Sequence, residues 1–423
     1  MKRTNILIRK LLVSVGILLV AGTLVAGDIH TIAGGGSPEQ MAAILEVTED
    51  SNIRDADGWI ALHHAARYNT AEVIKLLLDA NADVNAASPE GVTPFMLAML
   101  NPAVRKEASN LIDLFVEYGA DTNAQDNQGW TPLLYAARYN QTAPAMLSGL
   151  IKAGVDIDIR TEKGLLPLFY EARFSEALSN AVQLFRSEYY DTEYVTDVTS
   201  PDGKAAIMYA AANKSPRITA LQFLLYSGNM GFGGKTDDHG NTPLMIALAN
   251  HGIPRAVGYL LDSTPRIVAY ESDYHPHKPN DAGWTALMIA ARHNTDPENI
   301  ALLIDPAPQA KYNKAKVNDS LPENGWTPLM LAARYAENPE TIHLLLESGA
   351  EVNARSQEGL TALMTATANP NPEVLATLLE HGADPNVVDN YGWSARDYAV
   401  KRNAAEGIVE KLNEYVDNGT ITE

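Results

Sequence analysis

One glycine recurs in the same phase ten times along the chain: Gly58, Gly91, Gly129, Gly164, Gly203, Gly240, Gly283, Gly325, Gly359 and Gly392. The intervals run from 33 to 43 residues. That spacing is too short for an independent domain and regular enough to be one supersecondary unit copied in series. A unit of this size cannot bury an apolar face by itself, so each must stack on its neighbours. The repeat therefore commits most of the 423 residues to a single kind of array.

The residues after each glycine say what the unit is made of. GWTPLMLAARY begins at Gly325, and close copies begin at Gly58 (GWIALHHAARY), Gly129 (GWTPLLYAARY) and Gly283 (GWTALMIAARH). Thr327 can cap the free N–H groups of a helix, and Pro328 suits the first helical position because it has no N–H to leave unpaired. Leu329, Ala332 and Ala333 follow at helical spacing, the alanines small enough to let a neighbouring helix approach. Asn338, Pro339 and Glu340 restart a second helix with a cap, a proline and an acid in the positive first turn. Its inward face is expected to carry Ile342, Leu345 and Leu346, as Ile74, Leu77 and Leu78 do near the N-terminus. Gly349 then ends it, since glycine accepts the left-handed conformation common beyond a helix C-terminus.

The segment GADTNA at 119–124, leading to a turn at Asn127, Gln128 and Gly129, completes a recognisable set with Gly-x-Thr-Pro-Leu, Ala-Ala and the Leu-Leu pair. Together these residues resemble the ankyrin repeat over about residues 52–416. The tryptophan-bearing version, with Ala-Ala-Arg-Tyr-Asn, is similar to ankyrin proteins of bacterial, spirochaete type. The resemblance implies an all-α solenoid of about ten helix–turn–helix units, joined by hairpin loops into a right-angled array. Residues 28–51 would be a linker and a capping helix, the latter a lone helix over 37–47. Residues 404–416 would form the last helix and 417–423 a loose tail. The units between 165 and 282 depart most from the pattern. The longest intervals carry eight or nine extra residues, expected to lengthen the hairpin fingers within 263–280 and 306–322.

All five tryptophans stand directly after a marker glycine: Trp59, Trp130, Trp284, Trp326 and Trp393. In each of those units the residue eight further on is basic: Arg67, Arg138, Arg292, Arg334 and Lys401. Of the five units without tryptophan, only the one with Arg173 is basic there, so the pairing is not chance. Tyr68, Tyr139, His293 and Tyr335 adjoin the arginines. The resemblance implies that these positions border the concave groove where ankyrin proteins usually bind partners. Trp, Arg and Tyr also dominate binding hot spots. A structural reading stands beside that one: tryptophans stacked on neighbouring hairpins and arginines tied to loop carbonyls would give the same pattern. The thirteen candidates for partner contact are thus Trp59, Arg67, Tyr68, Trp130, Arg138, Tyr139, Trp284, Arg292, His293, Trp326, Arg334, Tyr335 and Trp393.

Composition narrows the function. With 52 acidic and 32 basic residues the net charge is −20, which argues against a nucleic-acid partner. The chain has no cysteine, so disulfides, thiolate metal sites and a cysteine nucleophile are excluded. Lys2, Arg3, Arg9 and Lys10 precede the apolar run LLVSVGILLVAGTLV at 11–25, followed by small residues before Asp28. That pattern reads as a signal peptide over 1–27, with an uncleaved membrane anchor as the alternative. The expected mature protein is exported, periplasmic or secreted, monomeric and free of the membrane.

Three other features fail as chemistry. GNMGFGGKT at 228–236 lacks the first glycine of a phosphate loop, carrying Asn229 there, and follows a predicted helix instead of a strand. Asp273, His275, His277 and Asp281 could chelate a metal but read equally as a polar inserted loop. His63 occupies the family's usual hydrogen-bonding position and is expected to be structural. No nucleophile elbow or paired carboxylates stand out, and no segment outside the repeats is long enough for a catalytic domain. The expectation is a non-catalytic protein-binding scaffold with no cofactor and no metal. A membrane-tethered scaffold of the cell envelope and a secreted host-interacting effector are the alternatives.

Overall fold

The computed structural model describes residues 17–20, 23–26, 28–102, 108–139, 144–174, 198–214, 219–226, 235–262, 278–293, 296–305, 315–402 and 406–418. The chain divides into two compact units, Met1–Asp191 and Thr192–Glu423.

In the first unit the strands β1 (Ile17–Val20) and β2 (Thr23–Ala26) pair antiparallel, Ile17 opposite Ala26, within the segment expected to be the signal. Among the described residues nine helices follow: α1 (Ile29–Gly35), α2 (Pro38–Leu45), α3 (Ala61–Tyr68), α4 (Ala71–Asp79), α5 (Pro94–Ala98), α6 (Ala108–Glu117), α7 (Pro132–Tyr139), α8 (Pro144–Lys152) and α9 (Pro167–Phe174). The first helices of successive repeats stack as α1–α3–α5–α7–α9, while α2 packs on α4 and α6 on α8 in a second layer. Ala65, Ala66, Ala136 and Ala137 are fully buried and allow this close approach. Between the layers Phe95 and Phe115 meet with ring centroids 5.1 Å apart.

The second unit repeats the scheme with α10 (Ala206–Ala211), α11 (Thr219–Tyr226), α12 (Pro243–Ala249), α13 (Pro254–Asp262), α14 (Ala286–Arg292), α15 (Pro297–Ile304), α16 (Pro328–Tyr335), α17 (Glu340–Glu347), α18 (Ala362–Ala366), α19 (Pro372–Glu380), α20 (Ala395–Lys401) and α21 (Glu406–Asn418). Among the described helices of this unit, even-numbered ones stack on even and odd on odd. The repeats are thus all-α, as the sequence pattern predicts.

Local chemistry accounts for the helix ends. Thr93, Thr242, Thr285, Thr327 and Thr361 each accept a hydrogen bond from the amide of a methionine three residues on, at 3.3–3.4 Å. Gly349 closes α17 at φ 93°, with the Ala350 amide reaching back to Leu345 O at 3.0 Å. All ten marker glycines lie at φ between 73° and 83°, the left-handed region the hairpin turn requires. At Gly129 and Gly325 a second reason applies. An added Cβ would sit 2.9 Å from the backbone nitrogen of Glu162 or Gln357, which the neighbouring hairpin places there. Those same amides donate to Gln128 O (3.0 Å) and Asn324 O (2.9 Å), so the hairpins are tied together at the turn.

A ladder of buried amides reinforces the stack. The Asn69 side chain donates to Ala33 O and Gly36 O, Asn101 to Ala66 O and Asn69 O, and Asn369 to Ala333 O and Ala336 O. Each satisfies helix-end carbonyls of the preceding repeat that would otherwise be orphaned. This device was not apparent from the sequence pattern.

Four expectations need correction or limits. The N-terminal cap is a helix pair, α1 and α2, not a lone helix over 37–47: Asp28 caps α1 by accepting from the Thr31 amide at 2.8 Å. Leu346 is only half-buried, and Thr341 takes a core position on α17 instead. The last helix runs to Asn418, two residues into the segment expected to be a tail. Most of the inserted segments 263–280 and 306–322, most of the GNMGFGGKT stretch, and Asp273, His275 and His277 lie outside the described residues.

Candidate binding surface

The ladder residues are positioned by the hairpin turns that precede them. In four repeats the tryptophan amide donates to the side chain four residues back, Trp59 to Asp55, Trp130 to Asp126, Trp284 to Asn280 and Trp393 to Asp389, each at 2.9 Å. Trp326 uses Asn324 instead, also at 2.9 Å. The second oxygen of the carboxylates reaches the following helix: Asp55 to His64 Nε2 (2.7 Å), Asp126 to the Tyr135 hydroxyl (2.8 Å) and Asp389 to the Tyr398 hydroxyl (2.6 Å). One carboxylate therefore holds both a turn and a helix face, and the tryptophan between them has little freedom. The partners stand nine residues apart each time, a spacing visible in the sequence but without meaning until the turn is known.

Burial raises the Tyr398 phenol, and its bond to Asp389 adds to that, to about 12; Tyr135 is pushed up for the same reasons. Both hydroxyls stay protonated as donors. Tyr135→Phe is expected to cost about 1–2 kcal/mol in urea unfolding, by leaving Asp126 short of a partner. No change in the midpoint would remove the brace from the account.

All five tryptophans are half-buried. Trp59 lies against His63 (5.6 Å) and His64 (5.2 Å), and Trp130 against Tyr135 (5.5 Å) and Tyr170 of the next repeat (4.9 Å). Trp393 lies against Tyr398 at 5.5 Å. Cation and tryptophan meet directly in two repeats: Arg292 over Trp284 at 5.5 Å and Lys401 over Trp393 at 4.0 Å. Arg67 does not pair with Trp59; its guanidinium donates to Leu100 O in the next repeat at 2.8 Å. Arg138 sits 3.8 Å over Phe174, and Arg292 5.0 Å over Tyr335, again one repeat along.

Arg67, Arg138 and Arg292 thus stitch successive repeats together. The tyrosines beside them face out: Tyr68 is 57% exposed, Tyr139 50% and Tyr335 37%. Two guanidiniums flank Tyr335, since Arg334 lies 5.5 Å from its ring. Burial would raise that phenol, but the Arg334 hydrogen bond and the charges of Arg334 and Arg292 outweigh it and hold it below its ordinary value. His293 is half-buried beside His251, with burial and then the Arg292 charge favouring its neutral form.

His63 is fully buried and structural in its contacts: Nδ1 accepts from the Ile60 amide at 3.2 Å and Nε2 donates to Val92 O of the next repeat at 3.1 Å. Among the described residues no His, Asp and Glu side chains gather in a set able to hold a metal. No described helix is long and apolar enough to cross a membrane.

The family described as ankyrin repeats (three copies) matches residues 29–105, 100–193, 168–271, 265–356 and 337–420, nearly the whole of the array. The chain belongs to the ankyrin-repeat family. It is also similar to protein phosphatase 1 regulatory subunit 12A of Mus musculus and of Rattus norvegicus, 33% identical to each over 70 residues. That match covers 16% of this chain and 7% of either relative, so the chain spans only a small part of their length. Ankyrin repeats suggest a protein-interaction scaffold with protein partners, and such proteins are typically non-catalytic.

Proposed function

We propose that this ankyrin array is a non-catalytic scaffold that grips a partner protein along the groove edge bordered by the ladder and at its hairpin tips. The observation that carries this reading is the repeated presentation of exposed Tyr68, Tyr139 and Tyr335 beside arginines, above half-buried tryptophans fixed by their turns. Rigid aromatic surface loses little entropy on binding, and neighbouring guanidiniums add charge-assisted donors. Arg138 and Arg292 serve the stack and the partner at once, since each lies over a ring of the next repeat and neither is buried.

The scaffold works outside the cytoplasm, in the periplasm or beyond, after loss of residues 1–27, and acts as a monomer. The basic residues before the apolar run at 11–25 support export. The same run retained would tether the scaffold to the inner membrane, which is the second reading. N-terminal sequencing of the protein from its native envelope separates them: a chain starting near Asp28 supports release, one starting at Met1 supports the tether. A secreted effector acting on host proteins would show instead as protein recovered from the medium.

The binding test uses a partner captured by the mature chain from the native envelope and identified by mass spectrometry. Trp284→Ala with Trp326→Ala is expected to weaken that complex at least tenfold. Because both rings are half-buried, the stability cost should be about 1–2 kcal/mol each, below the 3–5 kcal/mol of a fully buried tryptophan. Unchanged affinity with a large fall in melting temperature would assign the ladder to the scaffold alone.

A further inference from the structure

The ladder is interrupted in several repeats, and one interruption adjoins a cleft. In the repeat that begins at Gly359 the positions of the cation and the tyrosine are filled by Ala368 and Asn369. Its neighbours on either side keep their cations, Arg334 before it and Lys401 with Arg402 after it. Arg402 stands where the other ladder repeats have an aromatic ring or histidine. The small residue at the missing rung opens a cleft of about 400 Å³, lined by Arg334, Thr367, Asn369, Pro370, Arg402 and Ile408 among others.

The polar groups in this cleft are arranged for an anion. Arg402 is held in place by Thr367 Oγ1 at 2.8 Å and Met364 O at 3.4 Å, both to Nη1, with its plane 4.9 Å from the Tyr398 ring. Among the described residues nothing hydrogen-bonds the other edge of the guanidinium. Arg334 faces the same cleft and is half-buried against Tyr335. The two charges sense each other: burial, and then the Arg334 charge, lower the affinity of Arg402 for its proton. Yet among the described residues neither guanidinium has a carboxylate within ion-pair distance. In a chain with 52 acidic and 32 basic residues, two neighbouring cations without a carboxylate partner mark a place kept for an outside anion. Asn369 is not part of the recognition: its amide is spent on Ala333 O, Ala336 O and the Asn371 amide.

We propose that the Arg334–Arg402 cleft is a carboxylate subsite that takes an Asp or Glu side chain of an extended acidic peptide bound along the ladder. The assignment rests on the groove reading above and names the chemistry of the partner there. A planar carboxylate matches the fork of a guanidinium, and the shallow floor over Ala368 admits a short side chain. The exposed tyrosine beside Arg334 offers the flanking peptide an apolar surface.

The test uses the full chain at physiological salt and a fluorescein-labelled peptide of alternating Glu and Gly, with its Gln–Gly counterpart, read by fluorescence anisotropy. The Glu peptide is expected to bind at least tenfold more tightly than the Gln peptide. Arg334→Gln and Arg402→Gln should each reduce that affinity about tenfold. Arg402 also ties the backbone, so Ala368→Leu gives a second variant: it fills the cleft, keeps both cations, and should abolish the Glu preference with an unaltered melting temperature. Equal binding of the two peptides, or full affinity in Ala368→Leu, overturns the subsite. Displacement of the Glu peptide by inorganic phosphate at equal concentration overturns the peptide assignment in favour of a free anion. If the subsite fails while Trp284→Ala with Trp326→Ala still weakens the captured partner, the groove reading survives without it.

Discussion

Leu77→Asp and Leu345→Asp are each expected to remove more than 4 kcal/mol of stability, enough to unfold the repeats around them. Both side chains are fully buried on the second helix of a repeat, α4 and α17, between the two helical layers. A carboxylate there loses its water and finds no partner, one of the few single changes that costs this much. Repeat arrays hold together through nearest-neighbour interfaces, so the loss spreads to the flanking units and the transition should broaden. Leu346→Asp supplies the contrast. Leu346 is half-buried, so the new charge can reach water and the cost should be about 1 kcal/mol. Urea unfolding followed by circular dichroism checks all three. A melting temperature unaffected by Leu77→Asp, or equal losses at positions 345 and 346, would contradict the layered packing.

Position 346 also shows where sequence periodicity stops being informative. A Leu-Leu pair at consecutive positions spans about 100° of helix surface, so both can look inward when only one fits under the neighbouring helix. The pair at 77 and 78 is buried and the second residue of the pair at 345 and 346 is not, a difference set by the next repeat and not by the helix itself. The repeat period, the caps, the glycine turns and the alanine contacts were all legible, because each depends on a few residues close in sequence. The N-terminal pair was half missed: IHTIAGGG has little helical periodicity, and α1 forms because Ile29, Ile32 and Ala33 are buried against α3.

The candidate surface divides in the same way. The spacing of eight residues from tryptophan to cation was visible, but the ties of Arg67, Arg138 and Arg292 to the following repeat were not, since they span 33 to 43 residues. The carboxylate braces were missed although Asp55, Asp126 and Asp389 each stand three residues before a marker glycine. Their role depends on a turn that brings one oxygen to a backbone amide and the other to a side chain nine residues on. The buried asparagine ladder was hidden for the same reason, its acceptors being backbone carbonyls that carry no sequence signal.

Acid should weaken the N-terminal repeats through His63. The side chain is fully buried, and that burial, together with the nearby charges of Arg54 and His64, lowers its pKa from 6.5 to about 4 despite the stabilising bond to Val92 O. The unfolded chain takes up the proton near 6.5 and the folded chain only near 4. The stabilisation from keeping His63 neutral is therefore complete above about pH 6.5 and lost as pH falls towards 4, at about 1.4 kcal/mol per pH unit. The limit is about 3 kcal/mol, enough to open a repeat at the end of the array. Protonation also turns Nδ1 from acceptor to donor, so the Ile60 amide that now bonds to it at 3.2 Å would face a second proton. His63→Gln keeps one donor and one acceptor but cannot titrate, which isolates the effect from the carboxylates that protonate in the same range. Between pH 7.5 and pH 4.5 the natural chain is expected to lose about 2–3 kcal/mol more than His63→Gln in urea unfolding. Parallel losses in the two proteins would mean that His63 accepts its proton without opening the fold. The bond to Val92 O would then be a consequence of stacking and not one of its supports.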